Sequence, residues 1–370
     1  MLRINNLLSR LREKNASDLH LRAGAKPLIR VYGALAYEED IDVLTPDMVH
    51  DLFVQITSEA QRETFADELE LDFSYAATGV GRFRFSAYMQ RGSISLACRP
   101  VQTKIPTIEE LSLPPVCKKL AMKEDGLILI CGPTGCGKST TLAAMIEYMN
   151  SNVRRNIITV EDPIEYIHQD GLCSFSQRQV GVDTKSFNIA LKHALRQDPD
   201  VILMGEMRDL DSIATTLTAA ETGHLVLTTL HAPNAVQAID RIIDVFPPHQ
   251  QEQIRIQLAS TMRGILFQTL IPRRDGQGRI AAVEIMLKTD AISNLIRQRK
   301  NHQIVSVIQS SADEGMQTLD EAIFRLFKAG QIGRDQCLAC CTDQAEMTQR
   351  LLTVSERSAN HERNQQRINV

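Results

Sequence analysis

A chain of 370 residues, 43% hydrophobic and 23% charged, is long enough for two or three domains with ordinary cores, which excludes a wholly disordered protein. Its net charge of -4 gives no global attraction to nucleic acid, and no apolar run reaches the roughly 18 residues of a membrane span. The N-terminus mixes Arg3, Arg10, Arg12 and Glu13 among leucines and lacks a signal-peptide core, so the chain is expected in the cytoplasm with its eight cysteines reduced.

In chain order, Leu7, Leu8 and Leu11 predict a leading helix, Leu19–Arg22 and Leu28–Tyr32 alternate like strands, and Asp47–Phe65 has helical spacing. Asp72–Tyr75, Arg82–Tyr88 and Ile94–Arg99 read as further strands. Together they predict a small α+β domain over residues 1–100. Pro100, Pro106, Pro114 and Pro115 interrupt periodicity and mark a linker over 101–115. From 116 to 354 the apolar runs Leu127–Cys131, Asn156–Val160, Val201–Met204 and Leu225–Leu230 alternate with helical patterns, the signature of a mostly parallel sheet covered by helices, and this α/β core resembles a RecA-type fold. Beyond it, Ile254, Leu258, Met262 and Ile265 predict one long amphipathic helix, Asp275-Gly276-Gln277-Gly278 a turn, and Leu319–Ala329 another helix. Cys337, Cys340 and Cys341 share a helix face without a histidine or a second cysteine pair beside them, so they are expected as buried small residues rather than zinc ligands. Residues 355–370 are polar and without a stripe, and are expected to form a disordered tail.

The strongest chemical signal is Gly132-Pro133-Thr134-Gly135-Cys136-Gly137-Lys138-Ser139, which matches G-x4-G-K-[ST] between an apolar strand and a helical pattern. Glycines let the backbone wrap a phosphate with its N–H groups, Lys138 reaches the terminal phosphates, and the Ser139 hydroxyl can ligate Mg²⁺; Thr140 completes the segment. ATP and Mg²⁺ are therefore the expected cofactors. Cys136, at a helix N-terminus, is expected to lean toward thiolate and to react with alkylating reagents.

Hydrolysis needs more than a phosphate cradle. Asp200–Glu206 is an apolar strand ending in an acid, and Glu206 is the candidate to face Mg²⁺, with Gly205 allowing close approach; an exposed charge at a strand end is the competing reading. Glu161, Asp162 and Glu165 put three carboxylates within five positions after a second strand, so one could orient the attacking water, or all could belong to a solvated turn. His224 and His231 flank another strand. They cannot share one face, His231 at the carboxyl edge is the better phosphate sensor, and a structural role stays open for both.

Several segments in fixed order carry a family resemblance. They are Ser17-Asp18-Leu19-His20-Leu21, the Gly132–Thr141 loop, Glu161-Asp162-Pro163-Ile164-Glu165, Gly205-Glu206-Met207-Arg208-Asp209, Glu221-Thr222-Gly223-His224-Leu225 and Gly315-Met316-Gln317-Thr318. Over residues 15–335 the chain resembles the PilT-type type IV pilus retraction ATPases of the secretion superfamily. The resemblance implies a PAS-like N-terminal domain joined to a RecA-like ATPase domain, in a homohexamer that couples ATP hydrolysis to pilus retraction. It also implies a partner in an inner-membrane pilus platform protein, a place at the cytoplasmic side of that membrane, and a paralogous retraction ATPase as a further partner. Nucleic acid is not an expected partner.

Carried onto this chain, the resemblance makes Lys138 and Ser139 the phosphate and Mg²⁺ contacts, Glu165 the water-activating glutamate, Glu206 the second acid, and His224 and His231 the histidine box. Arg84 and Arg99 look similar to the N-terminal arginines that would stabilise transition-state charge. Two departures stand out. Ala291-Ile292-Ser293-Asn294-Leu295-Ile296-Arg297-Gln298 lacks the arginine and final glutamate of the family's retraction motif, and Cys136 replaces a usual serine. The first keeps open an accessory, PilU-like role beside a principal motor.

Overall fold

The computed structural model describes residues 2–31, 33–101 and 104–353. The chain divides into two compact units, Met1–Lys104 with Glu165–Ile167, and Ile105–Ile164 with His168–Val370. The boundary falls inside the expected linker, whose residues 105–115 belong to the second unit, where Ile108 and Leu113 are buried in its core, and a three-residue segment from the middle of the sequence joins the first unit. Tyr32 and the expected tail at 355–370 lie outside the described residues.

The first unit contains α1 (Ile4–Glu13), β1 (Asp18–Arg22), β2 (Leu28–Val31), β3 (Ala34–Tyr37), α2 (Pro46–Ile56), α3 (Glu59–Glu68), β4 (Glu70–Ala77), β5 (Gly81–Gln90) and β6 (Ser93–Pro100). Its six strands form one antiparallel sheet in the order β3-β2-β1-β6-β5-β4. Phe83, Phe85 and Ala87 alternate inward from β5 to meet Leu8, Leu11, Leu52 and Leu96, which leaves Arg84 on the outer face. The single helix expected over 47–65 is two helices. Ser58 forms a capping box with Gln61 and starts α3, because its side chain satisfies an N–H that a continuous helix would bond internally. Strand β3, exposed throughout, carried no hydrophobic alternation by which to find it.

The second unit contains α4 (Val116–Ala121), β7 (Gly126–Cys131), α5 (Lys138–Asn152), β8 (Asn156–Glu161), β9 (Ser174–Gln179), α6 (Phe187–Ala194), β10 (Val201–Met204), α7 (Leu210–Glu221), β11 (Leu225–Leu230), α8 (Ala235–Asp244), α9 (Pro248–Thr261), β12 (Met262–Pro272), β13 (Arg279–Leu287), α10 (Asp290–Arg297), α11 (Ile304–Ser310), α12 (Leu319–Lys328) and α13 (Arg334–Cys340). The sheet order is β13-β12-β7-β11-β10-β8-β9, parallel except for β13. Leu127, Leu129 and Cys131 of β7 enter one core while Ile128 and Ile130 enter the core on the opposite face. Burial on both faces is why this strand reads as an unbroken apolar run.

Met262 and Ile265 belong to β12, not to a helix continuing from Ile254 and Leu258. The helix stops at Thr261 because the next eleven residues pair with β7 on one side and β13 on the other, and a strand buried on both faces mimics helical spacing over so short a window. The turn at 275–278 closes the β12–β13 hairpin, with Arg273 N–H donating to Gly278 O at 3.1 Å. Cys337 is buried, Cys340 and Cys341 are half-buried, and no group of three or more His, Cys, Asp or Glu among the described residues is arranged to hold a metal ion. No helix among the described residues is long and apolar enough to cross a membrane.

Candidate active site

Because β7, β8, β10 and β11 are parallel, the segments that follow them emerge on one edge of the sheet. After β7 the chain turns through Gly132–Gly137 into α5, whose first residue is Lys138. Gly132 has φ +146°, and a Cβ there would lie 2.3 Å from Gln268 O, so no other residue fits. Gly135 and Gly137 have φ +75° and +89°. Lys138 is buried, and its Nζ donates to Gly132 O at 2.9 Å and Pro133 O at 3.0 Å, which curls the loop around the ammonium. Pro133, Thr134, Gly135 and Ser139 are exposed and Thr140 is half-buried. No acid sits in the first turn of α5, so the positive end of the helix dipole is not neutralised locally.

Cys136 departs from expectation. It is 3% exposed, and burial pushes its thiol above the ordinary value although Lys138 and backbone N–H groups partly offset this. Desolvation of the thiolate outweighs the helix terminus.

The three carboxylates after β8 separate. Glu161 turns inward, where its Oε1 accepts from Thr159 Oγ1 at 2.7 Å and Gln177 Nε2 at 3.3 Å. Asp162 is exposed, with Oδ2 4.0 Å from Arg208 Nη1. Glu165 falls in the first unit, where its Oε1 lies 4.0 Å from Arg84 Nη1. At the end of β10, Glu206 accepts from Arg208 Nε at 3.0 Å, and its other oxygen is 3.5 Å from His231 Nε2. Arg208, which the sequence motif left without a role, meets Glu206 locally, two residues away, whereas its approach to Asp162 depends on β8 lying beside β10. Gly205 is not required by space, since a Cβ there would meet nothing closer than 3.5 Å.

The two histidines part company. His231 follows β11 and joins Glu206, whereas His224 precedes the strand, about 20 Å away along its six residues at strand rise. His224 Nδ1 is 3.1 Å from both Thr222 Oγ1 and Ala219 O, a local structural arrangement that ends α7. Within this chain it does not reach the phosphate loop. The two arginines, by contrast, are direct cross-strand neighbours on β5 and β6. Arg99 Nε donates to Asp18 Oδ1 at 2.6 Å. Burial raises the Asp18 pKa, but the hydrogen bonds from Arg99 and Ser17 outweigh it and hold the carboxyl below its usual value.

A cavity of about 290 Å³ opens beside the loop, lined among others by Leu111, Leu113, Thr140, Leu270, Arg273 and Arg279. In the altered motif, Ser293 is buried on α10 and its Oγ donates to Ala259 O at 3.2 Å, so the position that carries an arginine in the motif is packed against α9.

Residues 108–338 match the family model described as type II/IV secretion system protein. The chain is 46% identical over 332 residues to the type IV pilus retraction ATPase PilT of Pseudomonas aeruginosa, covering 90% of this chain and 96% of that one. It is 41% identical over 360 residues to the type IV pilus ATPase PilU of the same organism, covering 97% and 94%. Among solved structures, the pilus retraction motor PilT with bound ADP superposes with a TM-score of 0.88 at 43% identity, over 94% of this chain and 99% of that one.

Proposed function

The chain belongs to the type II/IV secretion system protein family as a PilT-type pilus retraction ATPase, and from that premise we propose how its residues share the work. A nucleotide-binding RecA-like domain follows a PAS-like domain. The phosphate loop from Gly132 to Thr140 holds the nucleotide phosphates, with Lys138 moving its ammonium from Gly132 O and Pro133 O onto phosphate oxygens. The cavity beside Thr140 receives the adenosine part. Ser139 and Glu206 offer the hard oxygen donors that Mg²⁺ prefers, an exposed hydroxyl and a carboxylate at the sheet edge, and a Mg²⁺ ion bound there would neutralise phosphate charge. Arg208 and His231 orient the Glu206 carboxylate.

Glu165 takes a proton from water as the water oxygen attacks the γ-phosphorus. The bond from that phosphorus to the β–γ bridging oxygen breaks, and the electron pair leaves with ADP. Arg84, beside Glu165, supplies positive charge as the phosphoryl oxygens gain negative charge. The product is motion within a homohexameric ring on the cytoplasmic side of the inner membrane, working on a pilus platform protein. A second reading, an accessory motor beside a principal one, is favoured by buried Ser293 in place of the motif's arginine. Expression in a host lacking its own retraction ATPase separates the two, since a principal motor restores retraction alone.

The single observation that carries the assignment of roles is the phosphate loop closed on Lys138 at the carboxyl edge of the sheet. Lys138→Ala should abolish nucleotide binding, whereas Glu165→Gln should bind ATP normally and turn over about 100-fold more slowly. Equal loss of binding in both would reject these roles.

A further inference from the structure

Gln268 lies on β12, more than 120 positions from the phosphate loop in sequence, yet it meets that loop at Gly132 and Cys136 and the helix that follows it at Thr141. The last rung between β12 and β7 pairs Phe267 with Cys131, so Gln268 sits just past the end of β7, against the start of the loop. Its backbone oxygen closes on Gly132, where a Cβ would be 2.3 Å away. Its side chain is 2% exposed and spans to the loop's far end, with Nε2 donating to Cys136 O at 2.6 Å and Oε1 accepting from Thr141 Oγ1 at 2.8 Å. A carbonyl can only accept, so the contact with Cys136 fixes which end of the amide faces the loop and leaves the other end for the Thr141 hydroxyl.

A trans peptide points its C=O and N–H in opposite directions. Holding Cys136 O down onto Gln268 therefore turns the N–H of Gly137 away from the sheet, to the side on which such loops cradle phosphate. Gly137 is free to flip because it is a glycine at φ +89°. We propose that Gln268 is the positioning residue that locks the Cys136–Gly137 peptide in its phosphate-binding orientation, with Thr141 fixing the glutamine amide in turn. The task demands one donor and one acceptor at the end of a two-carbon stem. Glutamine supplies both, leucine or methionine neither, and an ionised glutamate only the acceptor.

This inference rests on the nucleotide site proposed above, so Lys138→Ala serves as the control for that reading. The measurement is calorimetric titration of the full-length protein with Mg-ADP. Gln268→Met, which keeps the volume and loses both hydrogen bonds, should weaken binding about 10-fold, and KM for ATP should rise more than kcat falls. Gln268→Glu adds a readout that simple packing would not move. Ionised, its carboxylate faces Cys136 O and should bind ADP weakly; protonated, it can donate and accept as glutamine does. Its deficit relative to the wild type should shrink from about 10-fold near pH 8 to under about threefold near pH 5.5. Should the methionine variant fail to fold, the pH dependence of the glutamate variant decides. Wild-type affinity in Gln268→Met, or a glutamate deficit independent of pH, overturns the lock while leaving the site itself standing. Undiminished binding in Lys138→Ala would instead overturn the site.

Discussion

At the scale of single residues, the largest departure from sequence reasoning is Cys136. A thiol at the start of α5 had every local reason to ionise, yet it is 3% exposed with Gly132 pressed so close that a Cβ there would lie 2.8 Å from Sγ. Burial costs the thiolate more than the helix dipole returns. In the folded protein, iodoacetamide followed by peptide mass analysis should therefore label half-buried Cys340 and Cys341 before Cys136, and nucleotide should change Cys136 labelling little. Fast labelling of Cys136 that ATP blocks would mean that the loop opens readily. Arg84 and Arg99 show the same dependence on surroundings. Two like charges directly opposite in a sheet repel, and each is offset by a carboxylate, Glu165 for one and Asp18 for the other. The Asp18 contact ties Arg99 into its own sheet, whereas Arg84 faces Glu165, the residue proposed to activate water.

At the scale of elements, β13 carries more than its place at the sheet edge suggests. Glu284 on this strand is half-buried, its Oε1 accepts from Ala235 N at 2.8 Å at the start of α8, and it also hydrogen-bonds the backbone of Leu319 at the start of α12. One carboxylate thus satisfies orphan N–H groups of two helices. Burial raises its pKa, and the two backbone donors pull the other way. Glu284→Leu should leave both helix starts unsatisfied and cost about 2–4 kcal/mol in a urea titration, while Glu284→Gln, which keeps an acceptor, should cost less than half as much. Equal effects would show that the charge, not the acceptor, holds the helices.

At the scale of the whole molecule, stability should carry the mark of His168. This ring is buried, stacks on Phe175 at 4.9 Å between centroids, and its Nδ1 makes no hydrogen bond, the nearest acid being Glu147 at 3.7 Å. Desolvation lowers its pKa from 6.5 to about 4. The unfolded chain therefore binds a proton that the folded chain refuses, so the stability His168 contributes is full above about pH 6.5 and is lost as pH falls toward 4. The loss is about 3 kcal/mol at most. His168→Phe, which keeps the stack and cannot titrate, should flatten the fall in urea midpoint over that window. A variant as acid-sensitive as the wild type would place the sensitivity elsewhere.

What the sequence determined by itself was whatever rests on local spacing. The phosphate loop, the strands β7, β8, β10 and β11 and the acids at their ends are all legible because each depends on residues within one turn or strand of one another. Only the tertiary structure decided which of these meet. It joined Glu206 to His231 and Arg208 to Asp162, left His224 at the far end of β11, and turned Glu161 inward while setting Glu165 beside Arg84. It also made a strand of Met262–Pro272 and with it brought Gln268 under the loop. No periodicity could announce that glutamine, because its two partners lie on another strand's loop and helix, and strand order is fixed by burial of the whole sheet rather than by any segment of it.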